Sequence, residues 1–167
     1  MISCALTGER LGEYDSERDE NRQDHQRIRN LVLDKIEELY QNGTTVFLTG
    51  CIPGADLWAA ELVLEKRKEH EEIQLICVLA YADQLENSSP VRKARCRRIM
   101  EEADEQVIMQ EEYTFRSFYF RSKYLVDHSN FILAICSYKN EENIEENLLV
   151  HYARAIDKKI VFLDPGI

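Results

Sequence analysis

Short apolar runs alternate along this chain with segments whose apolar residues recur at helical spacing. The strand-like runs cover residues 2–6, 45–49, 73–79, 106–109, 131–136 and 160–163. Helical patterns lie between them at residues 22–41, 55–70, 91–103, 117–128 and 144–157. Such alternation builds a parallel sheet with helices on both faces. We therefore predict an α/β fold, a three-layer sandwich with a mostly parallel central sheet.

Composition limits the classes of protein to which the chain can belong. Its 167 residues, 44% of them hydrophobic, suit one domain over residues 1–167 with a substantial core. The net charge of −10 disfavours binding along a nucleic-acid backbone, which depends on Lys and Arg. A small anion held by backbone N–H groups is compatible with that charge.

The cysteines and the apolar runs indicate a compartment. Five cysteines form an odd set without a C-x-x-C motif, and three of them lie inside strand-like runs, as reduced core thiols do. No apolar stretch approaches the roughly 20 residues that cross a bilayer, and no signal peptide precedes the first strand. We predict a cytoplasmic protein without a membrane partner.

The second strand runs through two glycines directly into a helical segment. Thr49 and Gly50 end the strand, and Gly54, Ala55 and Asp56 begin the helix. Glycine lets backbone approach a ligand, and the N–H groups at a helix start favour an anion. A plain structural turn also needs small residues, so both interpretations stay open. Neither a P-loop Lys-Ser/Thr nor G-x-G-x-x-G is present, so P-loop ATP hydrolysis is not expected.

Ligands of open parallel sheets bind beyond the carboxyl ends of the strands. After the first strand this edge holds Thr7, Gly8 and Arg10, followed by a long charged connection to about residue 21. After the third strand it holds residues 80–84, which include Tyr81, and after the fifth it holds residues 137–147. These residues and the turn after the second strand are the first candidates for a site.

Four motifs, in this order, resemble those of the YpsA-like proteins of the SLOG superfamily, which also contains DprA/Smf and the LOG phosphoribohydrolases. They are Thr7-Gly8-x-Arg10, Gly50-x-x-x-Gly54-Ala55-Asp56-x-Trp58-Ala59-Ala60-Glu61, Tyr81-x-x-Gln84 and Arg121-x-x-Tyr124-Leu125-Val126-Asp127-x-Ser129. The resemblance covers nearly the whole chain. It implies a Rossmann-like fold whose glycine turns bind a nucleotide or a nucleotide-derived ligand.

The edge of the sheet and the resemblance together give a set of candidate ligand-binding residues. They are Thr7, Gly8, Arg10, Thr49, Gly50, Gly54, Ala55, Asp56, Glu61, Tyr81 and Arg121. Three departures from the family pattern bear on the ligand: Glu9 replaces a usual His, Ala80 a usual Pro, and residues 143–147 a usual Gly-Gly-Thr turn. The last change places carboxylates where the family's glycine turn would approach a phosphate, so the ligand or its affinity can differ from the family's.

Each candidate side chain also has an ordinary structural explanation. Asp56 can cap its helix or contact a ribose. Glu61 can face the cleft as an acid or lie exposed on the helix, and Arg10 can pair with phosphate or with the acidic loop after it. Arg121 can bind an anion or clamp Asp127 or Glu111. Two further features favour structural roles: Trp58 in the core, and the basic stretch at residues 92–98 on a solvated face.

The four histidines do not have the spacing of metal ligands, so no metal site is predicted.

The first functional hypothesis is a sensor or regulator that binds a nucleotide-like ligand. The second is a nucleotide-processing enzyme that cleaves an N-glycosidic bond, with Asp56 or Glu61 as the acid–base group, although no catalytic residue is assigned. A further hypothesis is an interaction scaffold with a degenerate pocket. Single-stranded DNA binding is disfavoured by charge, whereas a protein partner and a homodimer stay open.

Overall fold

A computed structural model describes residues 1–9, 23–137 and 147–166 of the chain. Six parallel strands form one sheet with the order β4-β3-β2-β1-β5-β6. The strands are β1 (Ile2–Gly8), β2 (Thr44–Thr49), β3 (Gln74–Leu79), β4 (Glu105–Ile108), β5 (Phe131–Ile135) and β6 (Ile160–Leu163). The predicted three-layer α/β fold is confirmed.

Five helices in the described ranges cover the two faces of the sheet. They are α1 (Gln23–Gln41), α2 (Ala55–Arg67), α3 (Pro90–Glu102), α4 (Ser117–Asp127) and α5 (Leu148–Ala155). Successive strand residues point to opposite faces. Leu6 accordingly packs in the core beneath α1, α2 and α3, whereas Ala5 packs in the core beneath α4 and α5. None of the helices in these ranges is both long and apolar enough to cross a membrane.

Two boundaries differ from the sequence prediction in ways that affect the site. Strand β1 continues two residues further, to Gly8, because Gly8 pairs with Ile135 of β5. Helix α5 begins at Leu148, after Asn147, whose side-chain oxygen accepts hydrogen bonds from the N–H groups of Leu149 and Val150. Residues 144–146, predicted as its first turn, lie outside the described residues.

The strand order fixes where a ligand would enter. From β1 the chain proceeds through β2 and β3 to β4 on one side, and then through β5 and β6 on the other. The connection that leaves β1 and the connection that leaves β5 therefore run in opposite directions from the carboxyl ends of these two neighbouring strands. Divergence of this kind leaves a crevice, the usual ligand site of open α/β sheets.

Candidate functional site

A cleft of about 490 Å³ lies at this divergence, between the carboxyl end of β1, the start of α2 and helices α4 and α5. Small-molecule pockets typically measure about 300–1,000 Å³. Its walls combine polar groups with leucine and phenylalanine side chains. The lining residues are Leu6, Thr7, Gly8, Glu9, Ile52, Asp56, Phe118, Arg121, Ser122, Leu125, Asn147, Leu148 and Leu149.

The two predicted glycine turns meet beside this cleft. The backbone N–H of Ala55 donates to the carbonyl of Glu9 over 3.2 Å. A Cβ on Gly8 would lie 2.4 Å from the Cβ of Ala55 and 2.5 Å from the carbonyl oxygen of Ile135. Gly54, at the start of α2, has a φ of 114°, a conformation that residues with a Cβ rarely adopt. Close approach therefore requires glycine at position 8, and backbone conformation requires it at 54.

Asp56 organises the turn after β2. Its carboxylate, 4% exposed, accepts hydrogen bonds from the Thr49 hydroxyl (2.6 Å) and the Ile52 N–H (3.1 Å). The Thr49 oxygen in turn accepts from the N–H of Cys51, whose φ of 53° is unusual for a residue with a side chain. Burial raises the pKa of Asp56 to about 6, although these hydrogen bonds and the positive charge of Arg121 oppose the shift.

Arg121 of α4 is the principal cation of the cleft wall. Its side chain is 4% exposed, and its guanidinium stacks 4.9 Å from the ring centroid of Phe118. Nη1 donates to the Gln84 side-chain oxygen (3.0 Å) and weakly to the Gly50 carbonyl (3.4 Å). Within the described residues Nε has no hydrogen-bond partner, and no carboxylate oxygen lies within 4.0 Å of the guanidinium. Neither Asp127 nor Glu111 clamps this arginine; Asp127 pairs with Lys123 instead.

Gln84 joins the ends of β2 and β3. Its oxygen also accepts from the N–H of Ala80 (2.7 Å), and its amide donates to the carbonyl of Gly50 (3.1 Å). A Cβ on Gly50 would lie 3.1 Å from Nε of Arg121, so glycine lets the guanidinium lie against the turn. The sequence motif contained Gln84, but only the fold shows that it positions Arg121.

Some candidates do not line the cleft. The Glu61 carboxylate accepts hydrogen bonds from Arg95 (2.8 and 3.0 Å) and Arg98 (3.2 Å), and lines a separate cavity between α1, α2 and α3. Tyr81 contacts the cleft residue Phe118 edge-on, with ring centroids 6.0 Å apart. Arg10 lies outside the described residues. Of the remaining candidates, Thr7, Gly8 and Asp56 line the cleft together with Arg121.

Asn147 and Glu9 are two of the cleft residues that were not among the predicted site residues. Asn147 donates from its side chain to the Thr7 hydroxyl (2.9 Å) while capping α5. Glu9 accepts from the N–H of Ser137 (2.9 Å), which ties the end of β1 to the end of β5. The sequence had placed both in segments at the carboxyl edge of the sheet and had marked both as departures from the family pattern. Because both line the cleft, these two departures from the family pattern belong to the candidate site.

One group in the described ranges brings three potential metal ligands together, away from the cleft. Oxygen or nitrogen atoms of Glu37, Glu69 and His70 lie within 4.8 Å of one another. The Lys66 ammonium lies 3.1 Å from both carboxylates. Because the lysine already supplies positive charge to the glutamates, the cluster is explained as an ion-pair network.

Comparison with known families places this cleft in a wider context. The family model described as the YspA SLOG family matches residues 4–163. A search of curated proteins found no matching relative. The family match includes every cleft-lining residue and confirms the resemblance carried by the four sequence motifs.

Proposed function

Because the chain belongs to the YspA SLOG family, we propose that its cleft binds a nucleotide or a nucleotide-derived small molecule, and that the protein is a sensor or regulator. The observation that carries this proposal is the burial of the Arg121 guanidinium in the cleft wall. A guanidinium stays charged at every physiological pH, and burying it without a carboxylate partner is costly. The Asp56 carboxylate acts on Arg121 only from beyond ion-pair distance, whereas a ligand phosphate would bind the guanidinium directly.

The other cleft residues fit the rest of such a ligand. Leu125, Leu149 and Phe118 offer apolar surface for a base. Asp56 and Glu9 offer carboxylate oxygens that can accept hydrogen bonds from ribose hydroxyls. The sheet edge, the cleft volume and the presence of just one buried cation among the described residues that line the cleft together favour a small ligand over a nucleic-acid strand.

The proposed binding is tested by a thermal-shift and calorimetric panel of nucleoside mono- and diphosphates and dinucleotides. Arg121→Gln should reduce affinity for the binding nucleotide at least tenfold, because a charge-assisted pair is lost. Arg97→Gln, an equal charge change at an exposed residue of α3, is the matched control. Equal affinities in wild type and Arg121→Gln would contradict the proposal.

Asp56 supports a second candidate function, cleavage of an N-glycosidic bond. A cleft carboxyl with a pKa near 6 is protonated in part at neutral pH and can act as a general acid. Glu61 does not support this candidate, because Arg95 and Arg98 bind its carboxylate outside the cleft. Chromatography of the ligand after incubation with protein distinguishes the two: intact ligand supports a sensor, and a released base supports an enzyme.

The cellular setting belongs to the same proposal. All five cysteines are free and buried, as suits a single domain in the reducing cytoplasm. Burial raises the pKa of the Cys96 and Cys136 thiols to about 11, which makes them poor nucleophiles. A regulatory role would further require a protein partner or a homodimer that responds to the ligand.

A further inference from the structure

The turn between β2 and α2 uses its backbone N–H groups within the protein. A helix start binds phosphate through N–H groups that have no other acceptor. Here the N–H groups that lead into α2 already have internal acceptors at 3.1 or 3.2 Å; they belong to Cys51, Ile52, Ala55, Leu57 and Trp58. Pro53, in the same turn, has no N–H at all. The turn therefore offers few donors to a ligand phosphate.

The Asp56 carboxylate already occupies the anion position of this turn. It accepts from the Thr49 hydroxyl and the Ile52 N–H, and it is the acidic group in the first turn of α2. A carboxylate there compensates the positive end of the helix macrodipole. Because Asp56 is buried and lines the cleft, water screens its charge weakly from a ligand bound beside it.

Arg121 offers the cleft one positive charge, and most of its guanidinium is already in use. Nη1 donates to Gln84 and Gly50, and Nε is buried against the turn at Gly50. Nη2 makes no hydrogen bond within the described part of the chain, so it is the nitrogen that can bind a phosphate oxygen. Arg121 balances one negative charge of a ligand, whereas a second charge would be repelled by the Asp56 carboxylate.

We infer that the cleft selects a ligand whose phosphate carries a single negative charge in a diester, as in a cyclic nucleotide, over a ligand that ends in a free phosphate. The diester presents its one charge to Arg121, and its ester bonds remove the second charge that Asp56 disfavours. This inference rests on the proposed function, because it names the class of phosphate that the same cleft binds.

Calorimetry with a nearly isosteric pair of probes tests the inference: a nucleoside monophosphate and its monomethyl ester, compared for each base. At pH 8 the monophosphate carries two negative charges, because its second pKa is about 6, whereas the ester carries one. Asp56, with a pKa of about 6, is ionised at this pH. For the base that binds, wild type should bind the ester about tenfold more tightly than the monophosphate.

Asp56→Asn removes the charge but keeps an acceptor oxygen for Thr49 and Ile52. It should raise monophosphate affinity about tenfold and leave ester affinity nearly unchanged, so that the preference disappears. A gain of affinity cannot come from misfolding, and a preference caused by the added methyl group would persist in this variant. Asp34→Asn, an equal charge change at an exposed residue of α1, is the matched control and should keep the preference.

A second pair of variants leaves the turn untouched. Leu148 lines the cleft and is 48% exposed, so Leu148→Lys adds a cation to the cleft at little cost to folding. It should strengthen monophosphate binding more than ester binding, and reduce the preference about threefold. Leu148→Gln removes the same apolar surface without adding charge, and should keep the preference. Melting temperatures verify that all variants are folded.

The outcomes separate this inference from the proposed function. Equal or tighter binding of the monophosphate by wild type, or a preference for the ester that persists in both Asp56→Asn and Leu148→Lys, would overturn the selection of a diester and leave nucleotide binding standing. Failure of both probes and of the whole nucleotide panel to bind wild type would overturn the proposed function itself.

Discussion

At the scale of single residues, the buried Asp56 carboxylate makes stability depend on pH. Its pKa is about 6 in the folded protein, against 3.8 for an unperturbed aspartate. Between these pH values the native state holds a proton that the unfolded chain has lost. Rising pH therefore costs stability across this window, by at most about 3 kcal/mol once the group is ionised.

We therefore expect Asp56→Asn to change the pH profile in a defined direction. The free energy of unfolding of wild type, minus that of Asp56→Asn, should fall as pH rises from 4 to 6 and become constant above 7. Urea denaturation at several pH values measures this difference. The exposed Asp83→Asn is the control, and a wild-type advantage that grows with pH would refute the assignment.

Two glycines of the site should respond differently to alanine. A Cβ on Gly8 meets backbone and Ala55 within 2.5 Å, so Gly8→Ala should destabilise the protein by about 1–3 kcal/mol. The nearest atoms to a Cβ on Gly50 belong to the Arg121 side chain, the first of them at 3.1 Å. Gly50→Ala should cost less stability in denaturation experiments but weaken nucleotide binding by displacing the guanidinium. The reverse order of stabilities would show that the contact between the turns is not tight.

At the scale of elements, α2 contributes to two different environments. Its first turn contributes Asp56 to the cleft, whereas Glu61, five residues and about one and a half turns of helix later, joins α2 to α3 through Arg95. Glu61→Gln should lower the free energy of unfolding by about 1–3 kcal/mol, because a partly buried charged hydrogen-bond pair is broken. Ligand affinity should be unchanged. A tenfold loss of affinity in this variant would show that Glu61 contributes to ligand binding.

The strands and helices could be predicted from the sequence because the spacing of apolar residues reflects which side chains are buried. The apolar run at residues 131–136 predicted an interior strand, and β5 lies between β1 and β6. The hydrogen-bond partners of side chains were harder to predict, because they depend on packing between elements that are distant in sequence. Glu61 and Arg95 are 34 positions apart, and Arg121 meets Gln84 across 37 positions. No local pattern indicates whether a helical glutamate faces a cleft or a neighbouring arginine.

At the scale of the whole molecule, ligand binding and global stability are linked. A ligand that binds only the native state stabilises it by RT ln(1 + [L]/Kd), which is about 2.7 kcal/mol at 100 times Kd. For a chain of this size that corresponds to a melting-temperature increase of roughly 5–10 °C. The increase in melting temperature therefore measures ligand binding to the cleft without a spectroscopic label.

A substitution at Gly54 tests this link between ligand binding and melting temperature directly. Sequence analysis predicted a close approach there, and the structure gives a φ of 114°. Valine in that conformation is strained by about 1–3 kcal/mol, less than the ~5–15 kcal/mol stability of a typical domain, so Gly54→Val should remain folded while its turn rearranges. Ligand should then raise the melting temperature of wild type but not of Gly54→Val. Equal increases in both would place the site elsewhere, and no increase in either across the panel would favour an interaction scaffold with a degenerate pocket.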